Sequence, residues 1–129
     1  MKTSNENILL IAEEAGVSLL ANWTSRPLWV GNTVNYAIQA VYTGTPNGTF
    51  RLQGCNDEGQ ISAMALSVVD DGLVNWSNID ESAIVVIAAG NLLYNAQDVG
   101  YRWVRLAWTD TSSSNPSTLT VCRFNGKGS

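Results

Sequence analysis

Histidine is absent from this sequence of 129 residues. That removes the commonest general base near neutral pH, the commonest zinc ligand and the usual partner of a nucleophilic Ser or Cys. Cysteine is scarce too. Cys55 follows a strand-like run in LQGCNDEG, and Cys122 lies inside the strand-like TLTVCRF. Two thiols so placed read as free cysteines in a reducing compartment rather than as a disulfide framework. Basic residues are few and scattered: Lys and Arg together number 7, and the formal charge is −4. No basic stripe is available to neutralise a phosphate backbone, which argues against nucleic acid as a partner. No apolar run approaches the length of a membrane span. The N-terminal MKTSNENILLIAEEAG lacks a basic n-region and a long h-region, so neither a signal peptide nor membrane insertion is expected.

Acidic residues are the chemistry that remains. Asp57/Glu58, Asp70/Asp71 and Asp80/Glu81 are adjacent pairs. Neighbours on a strand point to opposite faces, and in loops such pairs are ordinarily solvated, so no acid–base pair emerges and no catalytic residue is expected. Asn56, Asp57 and Asp71 do not reproduce the oxygen-ligand spacing of a calcium loop. No metal or other cofactor is expected. The Asn-x-Ser/Thr triplets at Asn22, Asn47 and Asn75 read as chance matches in a chain without a secretory signal.

What the chain does have is alternation. In NTVNYAIQAVYTG, Val34, Tyr36, Ile38, Ala40 and Tyr42 share one face, with Asn35, Ala37 and Gln39 on the other. Pro46 and Asn47-Gly48 then signal a tight turn, and TFRLQG alternates again with Phe50 and Leu52 inward, a pattern that predicts a β-hairpin. The C-terminal VRLAWTDTSSSNPSTLTVCRF repeats the plan, with Val104, Leu106, Leu119 and Val121 expected in the core. The shared wording of the two hairpins is compatible with an internal duplication or with the common look of Thr-rich hairpins. Between them, ISAMALSVV leans to strand, and SAIVVIAAG is apolar on both parities, which suits a strand buried on both sides or a subunit contact. GVSLLANWTS and PLWVGN add two more strands. The expected fold is all-β: an antiparallel two-sheet β-sandwich, jelly-roll-like, of about eight strands, with a closed barrel as the alternative. Residues 1–14 read as an arm or short helix, 15–124 as the sandwich, and 125–129 as a flexible tail.

Aromatic residues supply the site candidates. Trp29 and Trp76 sit among polar and turn residues, where an exposed indole can stack on a sugar ring of a host surface glycan or close the end of a core. On DVGYRWVRLAW, the face opposite Val104, Leu106 and Trp108 carries Tyr101, Trp103 and Arg105, residue types enriched at the centres of protein contacts. Either a neighbouring molecule or the N-terminal ILLIA segment could cover that face.

The run VYTGTPNGTFRLQGCND, followed at a distance by NAQDVGYRWVRLAWTDTSSSNPSTLTVCRFNGKG, resembles small virion structural proteins of tailed bacteriophages. In those proteins a Gly-Thr-Pro-x-Gly turn leads to LQGSND, and a GYRWVRL strand leads to a C-terminal FNGKG. The resemblance covers most of residues 34–57 and 95–128; residues 58–93 do not align. Cys55 stands where the pattern has Ser, and the turn at Ser112–Asn115 is longer. The resemblance implies a β-sandwich particle component at the head surface or tail apparatus, with no enzyme activity. Its location would be the virion, after synthesis in the host cytoplasm. Its partners would be copies of itself, as a homo-oligomer meeting through Tyr101, Trp103 and Arg105, and other virion proteins.

Overall fold

The computed structural model describes residues 8–31, 35–57, 74–97 and 100–127. Among these residues, ten strands run in chain order: β1 (Ile8–Ser18), β2 (Trp23–Thr24), β3 (Leu28–Trp29), β4 (Asn35–Thr45), β5 (Gly48–Cys55), β6 (Ser77–Asn78), β7 (Ile84–Val86), β8 (Gly90–Gln97), β9 (Trp103–Asp110) and β10 (Ser114–Lys127). One sheet has the order β1-β10-β4-β8. The other has β2-β9-β5-β6, with β3 also on β9 and β7 also on β5. If β2/β3 and β6/β7 are each taken as one interrupted edge strand, this is the strand order of a jelly roll. The antiparallel sandwich expected from the alternation is what forms, and each sheet keeps its own edges rather than closing into a barrel.

The two expected hairpins are not hairpins. β4 lies in the first sheet and β5 in the second, so the Pro46-Asn47 turn carries the chain across the core; β9 and β10 are split in the same way. The two arches then pair with each other, β4 on β10 and β5 on β9. A tight turn rich in Pro, Asn and Gly serves a corner as well as a hairpin, so turn chemistry could not tell them apart. The corners are tied together. Asn47 receives the backbone N–H of Thr111 at 2.8 Å on its carbonyl, and its own N–H donates to Ser113 Oγ at 2.8 Å. Gly44 takes a φ of +88°, and a side chain there would strike the backbone of Pro116.

Alternation then places the core. Tyr36, Ile38, Ala40 and Tyr42 of β4 face Phe50, Leu52, Val104, Leu106 and Trp108 of β5 and β9, all buried. Val121 is the exception. The β10–β4 register slips between Leu119 and Val121, and this bulge turns Cys122 and Phe124 inward in its place. The thiol of Cys122 is pushed up to about 12 by burial and by the nearby Glu14 carboxylate.

Four further expectations are corrected. Residues 8–14 are neither helix nor arm but the first part of β1, and residues 125–127 extend β10 opposite Ile8–Leu10 rather than forming a free tail. Strand pairing uses backbone groups, so the polar Asn125-Gly126-Lys127 pairs as readily as an apolar run. Because β1 lies on β10, it does not cover the outer face of β9. SAIVVIAAG yields only the short edge strand β7, with Val85 and Ile87 exposed. β8 was not foreseen, because the Leu92-Leu93 doublet interrupts its alternation. The strand expected at 61–69, the turn at 70–72 and the carboxylates of Glu58, Asp70 and Asp71 lie outside the described residues.

Leu106 is fully buried and Val121 half-buried. Leu106→Ala should therefore cost about 2–5 kcal/mol in chemical denaturation, and Val121→Ala clearly less. Equal losses at the two positions would mean that the parity assignment around the bulge is wrong.

Candidate functional site

The outer face of the second sheet is built in rows set by the strand register. Trp29, Trp103 and Cys55 are direct neighbours across β3, β9 and β5. The two indoles meet edge to face, with centroids 5.3 Å apart at 70°. Trp103 is 2% exposed. Its Nε1–H and that of Trp29 are buried without a hydrogen-bond partner among the described residues. Each such donor costs about 1–3 kcal/mol, which the aromatic packing has to offset.

The next row is polar. Arg105 Nε donates to Gln53 Oε1 at 2.8 Å, and Gln53 Nε2 donates to Asn78 Oδ1 at 3.0 Å. The Arg105 guanidinium also lies 4.3 Å from the ring centre of Trp76, a cation–π contact. Trp76 packs in turn against the Cys55–Trp103 cluster. Four of the five candidate residues, Trp29, Trp76, Trp103 and Arg105, are thus brought together. The cover over the outer face of β9 is intramolecular: Trp29 from one edge of the sheet and Trp76 from the other.

Tyr101 does not join them. It lies before β9 begins, where a bend at Arg102 breaks the alternation, and it turns toward the core. There its hydroxyl is hydrogen-bonded to that of Tyr36 in the opposite sheet, with ring centroids 6.2 Å apart. Burial raises the pKa of both phenols, so both stay protonated.

Asp57 is the residue that sequence reasoning undervalued. Its carboxylate accepts the backbone N–H groups of Val74 and Asn75, each at 2.9 Å, and the Asn75 amide at 3.0 Å. The Asn75 side chain, followed by the backbone donors of Asn75 and Val74, holds Asp57 down at about 2. Asp57 thereby pins the segment that carries Trp76. Asn75-Trp76 in the sequence, with an Asp after the preceding strand, was the available signal. Beside this pin opens a shallow cleft of about 360 Å³, lined by Asn56, Asp57, Asn75, Ser77, Asn78 and Tyr101.

The chemistry on offer is stacking and hydrogen bonding. Asp57 is committed to donors and is a weak proton acceptor. The Cys55 thiol is raised by burial above its ordinary value, which leaves little thiolate to act as a nucleophile. Among the described residues, no three Cys, Asp or Glu side chains come together as a metal-ligating group.

No protein-family model and no curated protein matches this chain. Among solved structures it is similar to one described as "Bacillus endospore appendages form a novel family of disulfide-linked pili", at 9% identity over 95% of this chain and 90% of that one. The TM-score is 0.42, too low to carry an argument about function.

Two outcomes follow from the cluster. Trp103→Ala should destabilise the isolated protein by about 3–5 kcal/mol, because the ring is interior to the molecule. A loss under about 0.5 kcal/mol would return Trp103 to the surface. The Asp57 contribution is present above the ordinary carboxylate value of 3.8 and is lost as pH falls from there toward about 2. Tryptophan emission that differs between the native chain and Trp76→Phe should change across that window. An acid profile with no Trp76-dependent component would show that Asp57 does not hold this indole.

Proposed function

We propose that the chain is a structural component of a bacteriophage particle, at the head surface or in the tail apparatus, acting through self-assembly or docking to other virion proteins and not as an enzyme. The observation that supports this most is where the residues of the resemblance lie. LQGCND, GYRWVRL and FNGKG are far apart in sequence, yet their described residues meet at one end of the sandwich. Cys55 is paired with Trp103, and Arg102 N donates to Cys55 O at 3.2 Å and to Asn56 Oδ1 at 2.8 Å. Gly126 is paired with Tyr36, which reaches Tyr101. The first two stretches touch directly and the third is linked to them through Tyr36, an arrangement that a shared docking end would use. Since Trp103 is buried and the half-buried Tyr101 turns toward the core, such docking would use Arg105 and the rim around the aromatic cluster rather than the trio as a whole.

A second reading, recognition of a host surface glycan, is favoured by one specific feature. Trp76 stands partly exposed beside Asn75, Asn78 and the Gln53–Arg105 row, a pairing of aromatic surface with planar amides that suits sugar hydroxyls. The two readings are separable. Mass spectrometry of purified particles of the phage encoding the chain should find it at a fixed copy number; finding it solely in the soluble lysate would overturn the particle reading. Titration of tryptophan fluorescence with bacterial polysaccharides should give no saturable change under that reading. A saturable change lost in Trp76→Ala would establish the glycan reading.

A further inference from the structure

Each sheet of an open sandwich ends in strands whose outer N–H and C=O groups are unpaired, and proteins commonly blunt such edges by shortness, bulges, proline or charge. Of the four edges that the described strands leave, three carry those devices. β2 and β3 are two residues each and are separated by Arg26-Pro27. β6 and β7 have two and three residues. β1 is long, but its register shifts between Leu10 and Ala12, Gly16 has a φ of +70°, and Glu13 and Glu14 lie on it.

β8 carries none of them. Its 8 residues, GNLLYNAQ, contain no charge and no proline. Its ladder with β4 runs without a shift from Tyr42↔Gly90 to Asn35↔Gln97. No described strand lies on its other side. The exposed apolar residues gather on the same flank: Leu93 on β8 is 61% exposed, and Val85 and Ile87, on β7 and the turn into β8, are 72% and 77% exposed. These are three of the five large exposed hydrophobics among the described residues, which marks the flank off from the rest of the surface.

We propose that the β8 edge pairs with the β8 edge of a second copy of this chain, antiparallel about a two-fold axis, joining the two four-stranded sheets into one continuous sheet. A second copy fits better than another edge of the fold because β8 is matched by β8 in length, regularity and lack of charge. The short edges offer too few backbone groups, and β1 would bring a register shift and the left-handed Gly16 to a ladder that runs without a shift. An isologous pair also closes on itself, which limits assembly at this edge to two copies. The proposal deepens the particle reading and rests on it for the need to self-assemble.

Leu93 lies near the middle of β8, so in a centred pairing it sits close to its own copy across the axis. Leu93→Glu and Leu93→Lys, at an exposed position, should leave the far-ultraviolet spectrum and melting temperature of the full chain unchanged. By light scattering and sedimentation, the native chain should be a dimer. Each variant alone should dissociate with a constant raised roughly tenfold or more by like charges placed opposite one another. An equimolar mixture of the two variants should dimerise again. A native chain that stays monomeric, variants that dimerise like the native chain, or a mixture that stays monomeric would each overturn the proposal. Particle composition is read separately. A monomeric native chain that is still found in purified particles sinks the edge pairing and leaves the particle reading standing; a β8-dependent dimer absent from particles does the reverse.

Discussion

β9 buries residues from both of its faces, and much of the molecule is arranged around that requirement. Its inward side chains, Val104, Leu106 and Trp108, fill the space between the sheets. On the other side Trp103 is just as inaccessible. A central strand with one apolar face needs only an opposing sheet, whereas this one also needs a lid on its outer face. The lid comes from the flanks. β3 brings Trp29 alongside Trp103 by direct register. From the far side, Asp57 holds the backbone of Val74 and Asn75 so that Trp76 can reach Arg105. The broken edge strands β2/β3 and β6/β7 thus do more than blunt the sheet. Their interruptions let aromatic side chains turn back over it.

Both sheets are also tied through the polar ends of large aromatic side chains. A buried indole or phenol usually finds a partner for its donor. Trp29 and Trp103 find none among the described residues, but three other contacts reach in or beside the opposite sheet. Trp108 Nε1 donates to the Leu19 carbonyl, just after β1, at 3.0 Å. Tyr94 Oη donates to the Ser82 carbonyl, just before β7, at 2.6 Å. Tyr36 and Tyr101 share one hydroxyl–hydroxyl hydrogen bond across the sheets. These bonds tie the first sheet to the second at separate places around the core, with the thiols of Cys55 and Cys122 both free. Surface charge adds little by comparison. The Glu13–Arg123 pair is exposed, and an ion pair in such a setting is worth at most about 1 kcal/mol.

The strands were legible where alternation is strict, and their grouping was not. β4, β5 and β9 follow from period two, and Ile38, Phe50, Leu52, Val104, Leu106 and Leu119 are buried as that period requires. Whether β4 and β5 are neighbours in one sheet or face each other across two is a long-range matter. Both arrangements use the same turn residues and bury the same face. Val121 was misplaced by one inserted residue, since a bulge inverts every side chain beyond it and leaves no mark in composition. Tyr101 was misplaced for the related reason that periodicity was carried past the start of β9. In the site, residue types pointed to Trp29, Trp76, Trp103 and Arg105, but not to their joining into one cluster, because that depends on which strands share an edge.

The two outer faces of the sandwich have different chemistry, and this follows from what the arches impose. The second sheet holds its outward aromatic side chains under their own cover, with Arg105, Gln53 and Asn78 in a hydrogen-bonded row beside them. The first sheet presents Asn91, Leu93, Asn95 and Gln97 from β8, and Gln39 and Arg123 from the strands beside it. Amide side chains on a flat strand neither repel a like strand nor demand a counter-charge, and they are uncommon as edge protection. A chain under selection to remain alone would gain from a single Lys or Glu in β8, a substitution that needs no change to the core because the odd-numbered positions face outward. The absence of any such residue from an otherwise well-blunted fold is the physical sense in which this edge is suited to company.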